Sequence, residues 1–173
     1  MGPSLAGTSM ARRVITAIVI TYLLAVLQTT LGHQIAILGV APDLLFLWTV
    51  AVGLLSGSTA GALVGFGSGL LQGGLTQAWV GAFAISKTIS GFSAGWLATK
   101  LSRENWAVPS LCAALLTLVN DGIFLLISGA GGGGQPGRTL ALRVLYHGAL
   151  APIAFALTAQ GRRVLLGRRE ELA

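Results

Sequence analysis

Charged residues are scarce in this chain. Of its 173 residues only 9% are charged, whereas 54% are hydrophobic and the mean hydropathy is +0.80. A water-soluble domain needs a polar surface, and so few charges could hardly supply one. The composition therefore argues against an ordinary soluble protein and favours an integral membrane protein.

Cysteine and the residue patterns of known catalytic sites are also scarce. The one cysteine, Cys112, lies in an apolar run, so it has no partner for an internal disulfide or a thiolate metal site. No H-E-x-x-H, G-x-S-x-G or Walker phosphate-binding pattern occurs, and the short G-x-G at Gly65 to Gly67 has no preceding strand. We therefore expect a protein that is not an enzyme, without catalytic residues, a metal site or a cofactor.

Basic residues are more numerous than acidic ones, at 11 against 5. Such an excess can indicate nucleic-acid binding, but most of these side chains flank apolar stretches, as cytoplasmic anchors of membrane helices do. We expect no nucleic-acid partner, and we expect both termini to be cytoplasmic. With that orientation the outer loops carry only Arg138, with Arg143 just inside the last span, and the inner side carries Arg12, Arg13, Lys100, Arg103, Arg162, Arg163, Arg168 and Arg169.

Six apolar stretches approach the roughly 20 residues that cross a hydrocarbon core. The second opens with Pro42 and Asp43, where a fixed proline φ and an acidic side chain both suit a helix start. A glycine-rich connector over residues 129–137 is expected to be flexible. The predicted fold is an all-α, six-transmembrane-helix bundle in a single domain over residues 1–173, with spans at about 14–31, 42–55, 59–75, 79–97, 107–128 and 139–160.

A glycine recurs every fourth position through the third span. Residues four apart share a helix face, and a face without side chains lets a neighbouring helix approach closely. Two readings stay open: packing within the bundle, or a docking face for the helix of another protein. The glycines of this ladder are Gly53, Gly57, Gly61, Gly65, Gly69 and Gly73, and the fourth span repeats the spacing with Gly91 and Gly95.

Ionisable groups within a membrane are costly, so they are candidates for function. Counted from the outer ends at 1.5 Å per residue, Lys87, Asp121 and His147 lie at one level, roughly 10 to 12 Å deep. We expect Lys87 to pair with Asp121, because an ion pair costs less than either charge alone. Such a layer fits a structural ion pair, an outward-facing ligand cavity or a proton path. Its other members are Asn120, beside Asp121, and Gln28, Gln72 and Arg143 in the turn above.

Several stretches resemble a known family, the rod shape-determining proteins called MreD. The resemblance spans about residues 14–163 in order and spacing. In one departure, family members carry an Asp after the Gly-Leu-Leu-x stretch, where this chain has Gln72 or Gly73. The matching stretches are Ala41-Pro42-Asp43-Leu44-Leu45, Gly61 to Phe66 with Gly69-Leu70-Leu71, Ala84 to Phe92 with Ala94-Gly95, Thr117 to Asp121, and Tyr146 to Pro152.

This resemblance implies a multi-pass protein of the bacterial inner membrane that acts as a scaffold of the elongation machinery. Its direct partner would be the bitopic protein MreC. Through the complex it would couple MreB filaments to peptidoglycan synthesis by a RodA-type glycosyltransferase and a class B penicillin-binding transpeptidase, with membrane lipid around it. The family is also similar in architecture to the substrate-binding S components of vitamin transporters, the alternative function, whose small-residue face on the first helix has a weak counterpart in Ala17, Thr21 and Ala25.

Overall fold

The fold is all-helical over the residues that the computed structural model describes, which are 5–32, 34–101, 107–129 and 136–167. Within them the only extended pairing is an isolated bridge between Ile37 and Val40, so the predicted all-α class is confirmed. Arg103, Arg168, Arg169 and most of the glycine-rich connector lie outside the described residues. The helices are α1 (Leu5–Leu31), α2 (Leu44–Ser56), α3 (Ser58–Thr76), α4 (Val80–Leu97), α5 (Ala107–Ser128) and α6 (Pro136–Gly167).

Three of these helices contain segments long and apolar enough to cross a membrane: Met10–Leu31, Ala107–Ser128 and Gly137–Arg163. This observation favours a membrane protein. Helix α2 is apolar but has only 13 residues, so it is about 20 Å long and falls short of a roughly 30 Å hydrocarbon core. A short apolar helix has to start or end inside the bundle, and this property determines where the polar site forms.

Helix α2 lies at the centre of the bundle and packs against all five of the other helices. Its buried side chains Phe46, Leu47, Val50 and Leu54 form the middle of the hydrophobic core. Small or medium side chains from α4, α5 and α6 complete this core, among them Ala94, Cys112, Ala113, Leu116 and Ala151. The core is therefore organised around a helix whose own ends need polar partners.

Helices α3 and α4 form an antiparallel hairpin at very close range. A methyl group added at Gly61, Gly65, Gly69 or Gly73 would lie within 3.0 Å of backbone atoms of α4. Gly61 faces Gly91, and Gly73 faces Val80 at the other end of the contact. Of the two readings of the glycine ladder, these four residues fit packing within the chain, because α4 covers the face that another protein's helix would need.

Two ladder glycines have other positions. Gly53 belongs to α2, where an added methyl would lie 2.6 Å from the carbonyl oxygen of Gly91. Gly57 is the single residue between α2 and α3, and its φ of +93° is a conformation that favours glycine. No atom lies within 4 Å of a methyl added at Gly57, although its backbone packs against Gly95. The four-residue glycine spacing therefore runs from α2 into α3, and the spacing alone does not show that one helix ends and another begins at Gly57.

Candidate functional site at the start of helix α2

The first N–H groups of α2 lie inside the bundle, where no helical carbonyl can accept their hydrogen bonds. Side chains from α1, from α6 and from the residue before α2 accept them instead. The Phe46 N–H donates to Asp43 Oδ1 at 2.9 Å, and the Leu45 N–H donates to Gln28 Oε1 of α1 at 3.2 Å. The Asp43 N–H donates to His147 Nε2 of α6 at 2.9 Å. The start of α2 is thus a helix cap built by α1, the residue before α2, and α6.

The charge of Asp43 is neutralised by Lys87 of α4. The Lys87 ammonium donates to Asp43 Oδ2, and the Lys87 side chain is fully buried. The ammonium also lies 5.7 Å from the centroid of the Phe46 ring, within the range of a cation–π contact. A buried ammonium of this kind needs an anionic partner, because leaving it alone in an apolar interior would be far more costly.

The predicted pairing of Lys87 with Asp121 is therefore wrong. Depth counting assumes that each span starts at the membrane surface, and that assumption places Asp43 near the surface. Helix α2 instead begins deep in the bundle, level with Lys87, which lies seven residues, or about 10 Å, into α4. Asp121 pairs with Arg143, whose Nη1 lies 3.0 Å from Asp121 Oδ2, and Asn120 Nδ2 donates to Asp121 Oδ1 at 3.1 Å.

His147 joins the cap to α5. Its Nδ1 lies 2.9 Å from Thr117 Oγ1, and the Thr117 hydroxyl donates to the Ala113 carbonyl at 2.6 Å. Because that hydroxyl proton is already used, the Thr117 oxygen accepts from His147 Nδ1–H, while His147 Nε2 accepts from the Asp43 N–H. These contacts assign a neutral imidazole with its proton on Nδ1. The ring also stacks on Phe46, with centroids 5.0 Å apart.

Most of the predicted polar layer comes together, in two groups. Gln28, Lys87 and His147 meet at the start of α2, and Asn120, Asp121 and Arg143 form the second group. Gln72 forms no hydrogen bond with either group. Its Oε1 is buried without a hydrogen-bond partner, and the same is true of Asn120 Oδ1 and Arg143 Nε. The residues that sequence reasoning missed are Asp43, Thr117 and Phe46, although a proline followed by an acid at a helix start already marked Asp43 as a cap.

Chemically, the network stabilises buried helix ends and balances charge. Each of its two carboxylates pairs with one cation, and its histidine uses both ring nitrogens. The large open groove along α1 is lined by none of the predicted members of the polar layer, so it does not supply an outward ligand cavity for them. Among the described residues, no three His, Cys, Asp or Glu side chains are grouped so that they could hold a metal ion.

The small-residue face of α1 is only partly packed within the chain, because Ala17 and Thr21 also line the open groove along α1. Thr21 and Ala25 are buried, and Thr21 Oγ1 accepts a hydrogen bond of 3.1 Å from Trp48 Nε1 of α2. Comparisons with known proteins find no family model, no curated protein and no solved structure that matches the chain. The class that fold and site define is therefore a helical, membrane-type bundle with an internal polar network.

Proposed function

We propose that this chain is a non-enzymatic scaffold of the MreD type in the bacterial inner membrane. Its six helical segments lie in the membrane with both termini in the cytoplasm, and the short α2 spans only part of the hydrocarbon core. It binds the single-span protein MreC and, through it, links MreB filaments inside the cell to the glycosyltransferase and transpeptidase that build peptidoglycan outside. The proposal rests on the sequence resemblance, and one observation of the structure supports it.

That observation is that four of the stretches carrying the resemblance meet in space. They contribute Asp43, Lys87, Thr117 and His147, which contact one another through the ion pair and the histidine hydrogen bonds. The matching stretches therefore supply one set of physically coupled residues, which is the arrangement expected of a shared structural core.

A scaffold also fits what the polar groups do. Their hydrogen bonds and charges are used to hold α1, α2, α4, α5 and α6 together, and the glycine ladder holds α3 against α4. Both devices produce a rigid bundle. A rigid bundle that presents fixed lateral faces to the lipid suits the docking of a partner's transmembrane helix.

The test is affinity purification of the tagged chain from mild detergent after co-expression with an MreC-type protein, which has one span followed by a coiled coil. We expect the two proteins to co-purify in a fixed ratio. Gly65→Leu should lose MreC or the fold, because α4 lies against that position, whereas Gly74→Leu, at an exposed position of α3 with no atom within 4 Å of an added methyl, should keep both. Recovery of the folded chain without MreC would contradict the proposal, and thermal stabilisation by one member of a vitamin panel would favour a transporter S component instead.

A further inference from the structure

A large open groove runs along helix α1. Its cavity volume is about 1100 Å³, between α1 and the faces of α2, α3 and α6. Small-molecule pockets typically measure roughly 300–1,000 Å³, so the groove lies at the upper end of that range, and its residues extend along most of α1. It exists because α1 contacts α2 and α3 but not α6, and only Thr21 and Ala25 of the described α1 side chains are buried.

The two ends of this groove differ in polarity. Arg13 of α1 and Arg162 of α6 line one end, together with Ser56 and Thr158. These residues share an end because the Arg162 guanidinium donates to the Leu55 carbonyl at the end of α2, and because α1 runs antiparallel to α2. The opposite end is lined by leucines: Leu27, Leu44, Leu71 and Leu150.

The length of the groove matches one leaflet of a bilayer. From Arg13 to Leu27 is 14 residues, or about 21 Å along a helix. A bilayer is about 40–45 Å thick with its headgroup regions, so one leaflet is roughly 20–22 Å. A molecule with a polar head and apolar chains of leaflet length therefore fits the groove from end to end.

We propose that the groove holds one anionic phospholipid. Its phosphate lies between Arg13 and Arg162, and its acyl chains lie along the leucines between α1 and α6. Guanidinium groups bind phosphate oxygens through paired N–H donors, and basic pockets between membrane helices are known to recognise anionic headgroups. The two arginines thus make the head end selective for charge, while the apolar walls accept any chain of suitable length.

Selectivity is measured by native mass spectrometry of the purified chain with phosphatidylglycerol and phosphatidylcholine that have identical acyl chains. We expect the wild-type chain to retain phosphatidylglycerol preferentially. The Arg13→Gln, Arg162→Gln double variant should lose about 25-fold in that preference, since each basic residue near the headgroups contributes about fivefold.

The Arg13→Lys, Arg162→Lys double variant should keep most of the preference for phosphatidylglycerol. Arg163→Gln, which changes a neighbouring exposed arginine that does not line the groove, should change little. Equal retention of both lipids by the wild-type chain would overturn the proposal, as would an equal loss in Arg163→Gln.

The occupant itself is identified by a photo-reactive amino acid placed at Ile153 in native membranes. Ile153 lines the groove, and Leu111 of α5, which is 56% exposed, lies at a similar level and does not line it, serves as the matched position. We expect phospholipid adducts at both positions, with anionic lipid enriched at position 153 and in bulk proportion at position 111. Adducts at position 153 that are polypeptides, either a second copy or another protein, would overturn the proposal, and so would identical lipid composition at the two positions.

Discussion

The α3–α4 hairpin and helix α1 are opposite ways of placing a helix in this bundle. In the hairpin, backbone meets backbone over four glycines of α3, and the facing helix carries the buried Lys87. Helix α1 instead touches the bundle mainly at Thr21 and Ala25 and exposes large side chains such as Ile15, Ile18 and Leu23. Lipid tails are as apolar as leucine, so apolar side chains alone give helices little reason to associate in a membrane. Close backbone approach holds the hairpin, and α1, whose described residues make no such approach and are joined to α2 by two hydrogen bonds, leaves a groove.

The largest expected effect lies in the hairpin itself. Gly65→Leu or Gly69→Leu places a side chain against the backbone of α4, which cannot move aside without separating the helices. We expect a loss of more than about 3 kcal/mol of stability, or failure to fold. Monodispersity and thermal unfolding in detergent measure this loss.

Gly67→Leu is the matched control for this prediction. It introduces the same side chain on the same helix, but at an exposed position with open space around it. Leucine favours a helix over glycine by up to about 1 kcal/mol, so stability should be unchanged or slightly higher. Equal damage in Gly67→Leu and Gly65→Leu would show that α4 does not lie where we describe it.

An effect of similar size, but without failure to fold, is expected at the buried ammonium of α4. Lys87→Met removes one partner of a buried ion pair and leaves the Asp43 carboxylate without its cation, which typically costs about 3–5 kcal/mol. Lys100→Met, at an exposed lysine beyond the end of α4, should change stability by less than about 0.5 kcal/mol. Chemical unfolding of both variants in the same detergent makes the comparison, and similar stabilities would contradict the buried pair.

His147 should show an intermediate effect that depends on what replaces it. His147→Leu removes the acceptor of the Asp43 N–H, and we expect a loss of about 1–2 kcal/mol. His147→Gln offers an amide oxygen in place of Nε2 and should recover part of that loss. Thermal unfolding of the two variants distinguishes a hydrogen-bond role from simple packing, because packing alone predicts that leucine is the better substitute.

The smallest effect is expected at α1. Thr21→Val keeps the shape of the side chain but removes the acceptor of the Trp48 indole N–H, and polar contacts between membrane helices average about 0.6 kcal/mol. Thermal unfolding should fall only slightly, whereas hydrogen exchange of α1 amides should become faster. A global destabilisation as large as that of Gly65→Leu would show that α1 is not the loosely held helix.

Sequence reasoning recovered the helices well, because length, apolarity and breakers locate them. All six predicted segments are helical, and α5 has the predicted bounds of residues 107–128. Helices α1 and α6 are longer than the predicted spans, since a helix can continue beyond the hydrocarbon core into the headgroup region. Packing of the glycine stripe within the bundle was one of two options that the sequence left open, but the sequence did not indicate that α4 is the helix that covers it.

The pairing of charges was not recoverable in the same way. Counting residues gives the depth of a side chain only when the helix starts at a known level, and α2 starts inside the bundle. Depth also carries no information about which side of a helix faces which neighbour. Asp121 and Lys87 were correctly expected to be buried, but Arg143 and Asp43 are the partners that the packing of the helices brings within reach.

The most direct test of the network at the start of α2 is a pair of double-mutant cycles in detergent. One cycle combines Lys87→Met with Asp43→Asn, and the other combines Lys87→Met with Asp121→Asn. The contacts described here predict a coupling of at least about 1 kcal/mol in the first cycle and within about 0.5 kcal/mol of zero in the second, because only neighbours that share an interaction couple. A strong coupling of Lys87 to Asp121, with none to Asp43, would contradict the arrangement on which this account depends.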